Sequence, residues 1–226
     1  MRRAILFDLD GVLIETEWET FVFYKNYLRE HYGIDLPDDG FQYKVGRKSV
    51  DFWKNVLSED QRNIVNTEKL TALKRELFNA HPERYIKEVA GGKELIESVK
   101  KMGWKVALTT QNEERMMQTV LSWLQMSDLF DLKLSLKDIA RKKPDPEIYL
   151  KAAKILQAVP RECIVIEDSK DGIMSAKNAG MYCIAIRHPY VPFDSVRKAD
   201  LSVSAFCEIT IEMLAGIQGR IKKTDS

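Results

Sequence analysis

Two carboxylates directly follow the first short apolar run of the chain. The run occupies residues 4–7, and Asp8-Leu9-Asp10-Gly11 comes next. Acids at positions i and i+2, before a glycine that allows a sharp turn, suit two tasks: Asp8 as a nucleophile and Asp10 as a proton donor and acceptor. The tetrapeptide alone also fits a solvated turn or a weak cation site. Its interpretation therefore depends on the residues at the ends of the other strands.

Two further segments carry groups that could hold a phosphate. Thr109, Thr110 and Gln111 follow the apolar run 105–108. A hydroxyl and backbone N–H groups at a strand end can bind a phosphate oxygen, although threonine at such a junction is also a common helix cap. Lys143 precedes a proline turn that leads into a helix. A lysine held there could neutralise a nucleophile and a phosphate together, or it could be a solvated loop lysine.

Adjacent acids end another apolar run, at residues 163–166. Glu167 and Asp168 follow this run directly. Two acids after a buried strand are costly to bring together unless a cation joins them. Carboxylate oxygens suit Mg²⁺, which is therefore the expected cofactor. In open α/β sheets such residues meet at the carboxyl ends of the strands.

The elements that must position these residues read as strands alternating with helices. Continuous apolar runs are typical of strands covered on both faces. They lie at 4–7, 105–108, 163–166 and 183–186, with weaker candidates for edge strands at 132–135 and 201–203. Helical patterns lie at 93–102, 113–124, 146–156 and 173–179. This alternation predicts an α/β fold with a doubly wound parallel sheet.

The segment 15–90 interrupts the alternation. Helices are expected in it at 16–30, 50–57 and 59–81. Because it stands between the first and second core strands, it predicts an inserted helical domain of residues 15–90 in a core of 1–14 and 91–226. Its aromatic residues are expected to form the core of this domain rather than a ligand cage. They are Trp18, Phe21, Phe23, Tyr24 and Tyr27.

Composition argues against several functions. The formal net charge of the 226 residues is +1, so no charge imbalance indicates a nucleic acid or membrane partner. No apolar stretch approaches the roughly 20 residues of a transmembrane helix.

The cysteines lack zinc spacing and a disulfide framework, which favours reduced thiols and a cytoplasmic protein. The histidines show no ligand spacing and receive no catalytic role. These residues are Cys163, Cys183, Cys207, His31, His81 and His188.

Together, the segments resemble the four motifs of the haloacid dehalogenase superfamily. The order and spacing agree over residues 4–186, and the segments are FDLDGVL, VALTT, KKPDPEIY and VIEDSKDGIMSAKNAG. The last two are most similar to the branch that contains β-phosphoglucomutase and phosphoglycolate-type phosphatases. That branch carries a helical cap at the place where this chain has its insertion.

The resemblance implies a role for each matched acid. Asp8 would attack phosphorus and form an aspartyl-phosphate. Asp10 would protonate the leaving oxygen and then help to activate water. Mg²⁺ would bind the Asp8 carboxylate, the Asp10 backbone carbonyl and Asp168, with Glu167 as a further ligand or an outer-shell one.

The resemblance also implies contacts with the substrate. Thr110, Gln111, Lys143 and Gly11 would bind the phosphoryl group, with Thr109 as a close competitor of Thr110. A second set would hold another anionic group of the substrate from the cap, or would form a basic solvent-facing turn. This set is Gly46, Arg47 and Lys48.

Within the family, Asp10 favours phosphate-ester chemistry, since dehalogenases and phosphonatases lack this second acid. Glu15 and Thr20 stand where sugar-phosphate members often have Asp and His. A phosphatase for a small phosphorylated metabolite, acting as a monomer or weak homodimer, is therefore predicted ahead of a phosphomutase. A phosphomutase would require a bisphosphate and isomerise a sugar phosphate. A regulatory protein on the same fold would form a complex that survives Asp8→Asn.

Overall fold

The computed structural model describes residues 2–44, 49–190 and 193–223. The chain divides into two compact units. The core unit comprises Met1–Ile14 and Glu88–Ser226, and the insert unit comprises Glu15–Lys87. The chain thus returns to the core unit at residue 88, slightly before the expected position 91.

Among the described residues, six strands of the core unit form one parallel sheet, and two short strands pair with each other where the chain passes between the units. The strands are β1 (Arg2–Phe7), β2 (Ile14–Glu15), β3 (Lys87–Glu88), β4 (Lys105–Thr109), β5 (Leu132–Leu134), β6 (Ala158–Glu167), β7 (Tyr182–Ile186) and β8 (Leu201–Val203). The order in the sheet is β5-β4-β1-β6-β7-β8. The predicted strands are confirmed, except that β6 begins at Ala158, before the expected start at Cys163, and the two weaker candidates lie at the edges as expected.

Helices pack on both faces of the sheet, which makes it doubly wound as predicted. The helices are α1 (Glu17–Tyr32), α2 (Ser49–Val56), α3 (Glu59–Ile64), α4 (Thr67–Ala80), α5 (Pro82–Tyr85), α6 (Gly92–Lys101), α7 (Glu114–Trp123), α8 (Glu147–Leu156), α9 (Lys170–Asn178), α10 (Phe193–Val196) and α11 (Ile211–Lys223). None of the described helices has the length and apolar character needed to cross a membrane.

β1 lies in the middle of the sheet and is buried on both faces. Ala4 and Leu6 pack in one cluster with residues of α8 and α9. Ile5 points to the opposite face, as does Phe7, whose ring centroid lies 6.4 Å from that of Phe206. Residues 4–7 are all fully buried. This two-sided burial explains why the strand reads as a continuous apolar run.

In the insert unit, the prediction of a single helix at 59–81 is wrong. The chain instead forms α3 and α4, separated by Val65 and Asn66. The Asn66 side chain accepts a hydrogen bond from the backbone N–H of Lys69 at 2.8 Å and caps the start of α4. Asparagine at this position satisfies an otherwise unbonded N–H group, so it favours a new helix start over a continuous helix.

The aromatic residues of α1 form much of the core of the insert unit. Phe21 and Tyr24 are buried, and Tyr24 packs on Trp53 with ring centroids 4.7 Å apart. Phe23 and Tyr27 are partly buried against the same cluster. The expectation for Trp18 is wrong, because 44% of this residue is exposed. Trp18 lies in the first turn of α1, and its ring contacts those of Phe21 and Phe41.

Cys163 and Cys183 are free thiols buried within the sheet, as expected. Burial raises the pKa of Cys163 to about 12. The same effect raises the pKa of Cys183 well above its ordinary value. Thiols of this kind remain protonated and unreactive at neutral pH, so they contribute to packing rather than to chemistry.

Candidate active site

Three neighbouring strands bring the predicted site residues to one edge of the sheet. β1 pairs with β4 through Phe7 and Leu108, and with β6 through Phe7 and Ile166. The next residue of each strand is therefore level with the others: Asp8 stands between positions 109 and 167. The backbone N–H of Asp8 donates to the Ile166 carbonyl at 3.0 Å and fixes this register.

Lys143 lies at the centre of the cluster. Its Nζ donates to Asp8 Oδ1 at 2.5 Å and to Glu167 Oε1 at 2.7 Å, and it also contacts the Thr109 carbonyl at 3.3 Å. The Lys143–Pro144 peptide is cis. Only 9% of Lys143 is exposed, so the alternative of a solvated loop lysine does not hold.

Glu167 acts as an anchor for this lysine. Its Oε1 accepts from Lys143 and, at 2.9 Å, from the hydroxyl of Tyr149. Its Oε2 accepts from the backbone N–H of Asp168 at 2.9 Å, and from the N–H and hydroxyl of Ser169 at 3.0 Å each. Both oxygens of Glu167 are thus engaged by the protein. Sequence reasoning missed Tyr149, whose helical position reads as part of an apolar stripe.

Three acids of the cluster could hold a metal ion. Asp8, Glu167 and Asp168 each offer an oxygen atom, and these atoms lie within 4.8 Å of one another. Asp10 adds a further carboxylate close enough to affect the charge on Asp8. Among the described residues these acids outnumber Lys143, so the cluster has an excess of negative charge. Hard oxygen donors with such an excess fit Mg²⁺.

The electrostatics of Asp8 reflect this excess. Burial raises the pKa of Asp8 to about 7, and Glu167 and Asp10 act in the same direction against the lowering effect of Lys143. Burial alone would also raise the pKa of Glu167, but the ammonium of Lys143 lowers it. Glu167 is therefore the carboxylate that Lys143 stabilises fully, whereas Asp8 needs further positive charge to remain ionised at neutral pH.

Asn112 holds the second carboxylate of the turn and was missed by sequence reasoning. Its Nδ2 donates to Asp10 Oδ2 at 2.5 Å. Its backbone carbonyl accepts from Leu136 N at 2.9 Å, and its backbone N–H donates to Thr110 Oγ1 at 3.1 Å. Asn112 is thus fixed at both backbone groups while its side chain fixes Asp10. Its position at the end of a core strand was the available signal.

The structure separates the two threonines that compete for the phosphate. Thr109 Oγ1 donates to the Phe7 carbonyl at 3.1 Å, so this hydroxyl holds β4 to β1. Thr110 Oγ1 accepts from Asn112, which leaves the hydroxyl hydrogen of Thr110 available to donate. Next to it, Gln111 Nε2 is buried without a hydrogen-bond partner among the described residues. Both groups are donors that an anion could use.

Gly11 brings the turn after β1 against the last acid. It has a φ of +69°, and a Cβ atom on it would lie 1.8 Å from Asp168 Oδ2. A glycine is therefore required both by the conformation and by the close approach. The Gly11 carbonyl also lies 2.7 Å from Nε2 of His188. Sequence reasoning gave His188 no role, although it follows a core strand closely.

The predicted cap contacts Gly46, Arg47 and Lys48 lie outside the described residues. The structure therefore describes the residues at the sheet edge and leaves these three as expectations from the sequence.

Known proteins are similar to this chain over most of its length. A family model described as haloacid dehalogenase-like hydrolase matches residues 5–186. The phosphorylated carbohydrates phosphatase of Thermotoga maritima is 33% identical over 183 residues, which cover 79% of this chain and 82% of that protein. The matched range of the family model includes Asp8 and Asp168 and ends before His188.

Solved structures agree with the fold. CbbY from Rhodobacter sphaeroides, in complex with phosphate, has a TM-score of 0.76 at 25% identity and covers 95% of this chain and 100% of that chain. β-Phosphoglucomutase from Clostridium difficile has a TM-score of 0.69 at 26% identity and covers 99% of this chain and 100% of that chain.

Proposed function

The chain belongs to the haloacid dehalogenase-like hydrolase family, and we propose that it is a Mg²⁺-dependent phosphatase that hydrolyses a small phosphorylated metabolite through an aspartyl-phosphate on Asp8. Its relatives include an enzyme named as a phosphorylated carbohydrates phosphatase. That name makes phosphorylated carbohydrates the first substrate class to test. The observation that carries the proposal is the contact of Lys143 with both Asp8 and Glu167 beside Asp168.

The metal ligands are assigned from the donor set. Asp8 and Asp168 would bind Mg²⁺ through carboxylate oxygens, together with the backbone carbonyl of Asp10. Glu167 would act from the outer shell, because both of its oxygens accept hydrogen bonds from the protein. When bound, Mg²⁺ would supply positive charge beside the carboxylates and the phosphoryl oxygens.

The first chemical step forms the aspartyl-phosphate. A carboxylate oxygen of Asp8 attacks phosphorus, and the bond between phosphorus and the ester oxygen breaks. Asp10 gives its proton to the departing oxygen, which leaves as an alcohol. Lys143 and the Thr110 hydroxyl stabilise the phosphoryl oxygens in the transition state, as does the amide of Gln111.

The second step releases phosphate. Asp10, now a carboxylate, accepts a proton from a water molecule whose oxygen attacks phosphorus. The bond between phosphorus and Asp8 breaks, which regenerates the nucleophile. Asn112 holds Asp10 for both transfers because its amide donates to one carboxylate oxygen while the other carries the exchanged proton.

A phosphate-release assay tests the proposal. Purified protein with Mg²⁺ is expected to release phosphate from p-nitrophenyl phosphate and from members of a panel of phosphorylated metabolites. Asp8→Asn is expected to abolish the release, since the amide cannot attack phosphorus. Mass spectrometry of the intact protein after rapid quenching should detect a phosphoryl adduct on the wild type and none on Asp8→Asn. No release from any member of a broad panel would refute the proposal.

A phosphomutase is the second candidate, and the similarity to β-phosphoglucomutase favours it. It predicts conversion of a hexose 1-phosphate to a 6-phosphate that requires a bisphosphate. A phosphatase yields free sugar and inorganic phosphate from the same substrate. Product analysis by ³¹P NMR therefore separates the two candidates. We assign the insert unit to the role of cap, with Gly46, Arg47 and Lys48 as substrate contacts.

A further inference from the structure

His188 lies at the same edge of the sheet as the carboxylates, just beyond the end of another strand, β7. β7 is the neighbour of β6, and Glu167 pairs with Ala185. The chain just beyond β7 therefore runs level with Asp168. The backbone N–H of Arg187 donates to the Val203 carbonyl at 2.7 Å, which continues the pairing with β8 up to His188. His188 is thus attached to a fixed strand end rather than to a loose loop.

The side chain of His188 is buried and ordered by its neighbours. Only 8% of the residue is exposed, and the ring stacks on Tyr190 with centroids 5.5 Å apart and planes 11° from parallel. Its Nε2 lies 2.7 Å from the Gly11 carbonyl oxygen. Because a carbonyl oxygen can only accept, this Nε2 carries the hydrogen and donates it.

The bonded carbonyl belongs to the turn that carries Asp10. Inside the turn, the Leu9 carbonyl accepts from the N–H of Leu13 at 2.9 Å, and Gly11 N donates to the Ile14 carbonyl at 2.7 Å. The Gly11 carbonyl instead accepts a hydrogen bond from His188, a residue that is distant along the chain. A rigid imidazole thereby restrains the Asp10–Gly11 region from outside the turn.

Asp168 contacts the same glycine and lies near the same imidazole nitrogen. A Cβ atom on Gly11 would overlap Asp168 Oδ2. That oxygen lies 4.0 Å from Nε2 of His188, which is beyond hydrogen-bond distance. Gly11 is therefore close to both the imidazole and the carboxylate. A shift of this turn would change the spacing between Asp168 and the carbonyl of Asp10.

The geometry points to His188 as a positioning residue that holds the Asp10–Gly11 turn against Asp168 and so sets the distance between the metal-binding oxygens. This inference rests on the proposed function, because that function assigns these oxygens to Mg²⁺. Outer-shell partners of metal ligands typically change metal affinity by about 10- to 100-fold when they are removed. In this inference His188 acts on the metal-binding oxygens through its hydrogen bond to Gly11.

Three substitutions of His188 separate its hydrogen bond from its bulk. The amide nitrogen of glutamine can reach close to the position of Nε2, so His188→Gln retains the donor. Asparagine is too short and alanine has no donor, so His188→Asn and His188→Ala lose the bond. His81→Gln in the insert unit is the matched control, because His81 is exposed and far along the chain from the sheet edge.

Two measurements do not depend on turnover. Calorimetric titration of metal-free protein with Mn²⁺ or Mg²⁺ alone gives the metal Kd. Hydrogen exchange measured on the peptide that contains residues 9–14 reports how firmly the turn is held. We expect His188→Ala and His188→Asn to raise the metal Kd about 10-fold and to accelerate exchange in this peptide. His188→Gln should remain within about threefold of the wild type in metal Kd.

Kinetics on p-nitrophenyl phosphate complete the test. At saturating Mg²⁺ the KM of His188→Ala should stay near the wild-type value, while the Mg²⁺ concentration for half-maximal activity rises. Unchanged exchange and metal Kd in folded His188→Ala would overturn the inference, as would equal losses in His188→Gln. A wild type that binds metal without releasing phosphate overturns the proposed function alone. A wild type that binds no divalent ion overturns both.

Discussion

At the scale of single residues, Lys143 connects two carboxylates at the ends of different strands, Asp8 just after β1 and Glu167 at the end of β6. Burial alone would lower the pKa of Lys143, but Asp8 and Glu167 raise it well above its ordinary value. The ammonium therefore stays charged next to the nucleophile at neutral pH. Its second bond, to Glu167, fixes the direction from which this charge acts on Asp8. A lysine with one partner would lack this restraint.

The hydrogen bond from Asn112 to Asp10 makes a prediction about turnover. Asn112→Ala should lower kcat about 10-fold with little change in KM, because Asp10 loses its orientation but keeps its charge. Asn112→Asp should lower kcat by about 100-fold, since it places a second carboxylate against Asp10. Steady-state kinetics on p-nitrophenyl phosphate measure both. The control is Asn55→Ala, at an exposed position of α2. If Asn112→Ala had the kcat of the wild type, the proposed role of Asn112 in orienting Asp10 would be contradicted.

The acids at the carboxyl ends of the strands could be predicted from sequence, whereas the residues that hydrogen-bond to them could not. Asp8 directly follows one apolar run, the pair Glu167-Asp168 follows another, and neighbouring parallel strands end at one edge of a sheet. Tyr149 reaches Glu167 only because of the rotation of α8 against the sheet. Asn112 reaches Asp10 across the pairing of β4 with β1. The rotation of α8 and the path of the chain after β4 cannot be predicted from one sequence alone.

At the scale of elements, α9 approaches Glu167 so closely that a glycine is needed at its start. A Cβ atom on Gly172 would lie 1.7 Å from Glu167 Oε1. Gly172 N also donates to the capping hydroxyl of Ser169 at 3.1 Å, so the first turn of α9 is fixed against the carboxylate. The helix therefore sets the position of the anchor on which Lys143 depends.

Gly172→Ala should therefore lower both stability and kcat. The added methyl group displaces the Glu167 carboxylate, and we expect a loss of about 2–3 kcal/mol in the free energy of unfolding. Gly216→Ala in α11 is the matched control, because a Cβ atom there meets open space within a helix. That change should be neutral or stabilising by up to about 1 kcal/mol. Equal urea midpoints for the two variants would contradict the packing argument.

Asp131 connects the start of β5 to the start of β4. Its Oδ2 accepts from Val106 N at 2.9 Å, and its Oδ1 accepts from Lys105 Nζ at 2.7 Å. Burial alone would raise the pKa of Asp131, but these bonds lower it below its ordinary value. Because the folded-state pKa is lowered, the stabilisation is present above the unfolded-state pKa of about 4 and is lost as pH falls through the folded value.

Asp131→Asn should consequently destabilise the protein at pH 7 by about 1 kcal/mol, since the amide keeps the shape but not the charge. The difference in free energy of unfolding between wild type and variant should shrink below about pH 4. Urea unfolding at a series of pH values measures this difference. A difference that stays constant with pH would show that the charge of Asp131 is not its source.

Strand prediction succeeded where an element is buried on both faces and failed where polar residues interrupt it. The run 163–166 marks only the second half of β6, because Pro160, Arg161 and Glu162 hide the strand's earlier residues. In the insert unit, the sequence predicted one helix across Val65 and Asn66, where the cap at Asn66 separates two. A helix-like stretch of sequence does not reveal the single side chain that caps a new helix start.

At the scale of the whole molecule, the charge excess at the sheet edge opposes stability and favours metal binding. Asp8 and Asp168 lie beside Glu167 in a largely buried place. Such repulsion is relieved when a cation binds, so the free energy of metal binding adds to the free energy of folding. The protein is expected to have a higher Tm in Mg²⁺ than in EDTA.

Asp168→Asn tests whether repulsion among these acids lowers stability and whether metal binding restores it. In EDTA the variant should melt a few degrees above the wild type, because it removes one of the repelling charges. In millimolar Mg²⁺ the order should reverse, since the wild type alone gains from the ion. Thermal melts of both proteins in the two buffers give the comparison. A variant that gains as much from Mg²⁺ as the wild type does would place the ion elsewhere.

The central position of β1 in the sheet also has a consequence for folding during synthesis, because the two neighbours of β1 are synthesised later than β1 itself. β1 leaves the ribosome before its neighbours β4 and β6, which begin at Lys105 and Ala158. The insert unit is one continuous segment between them, so it can fold while β1 still lacks both neighbours. Until β4 has emerged, nascent β1 exposes an apolar strand with two unpaired sides, and one side stays unpaired until β6 has emerged. Exposed apolar strands with unpaired sides are a feature that chaperones bind.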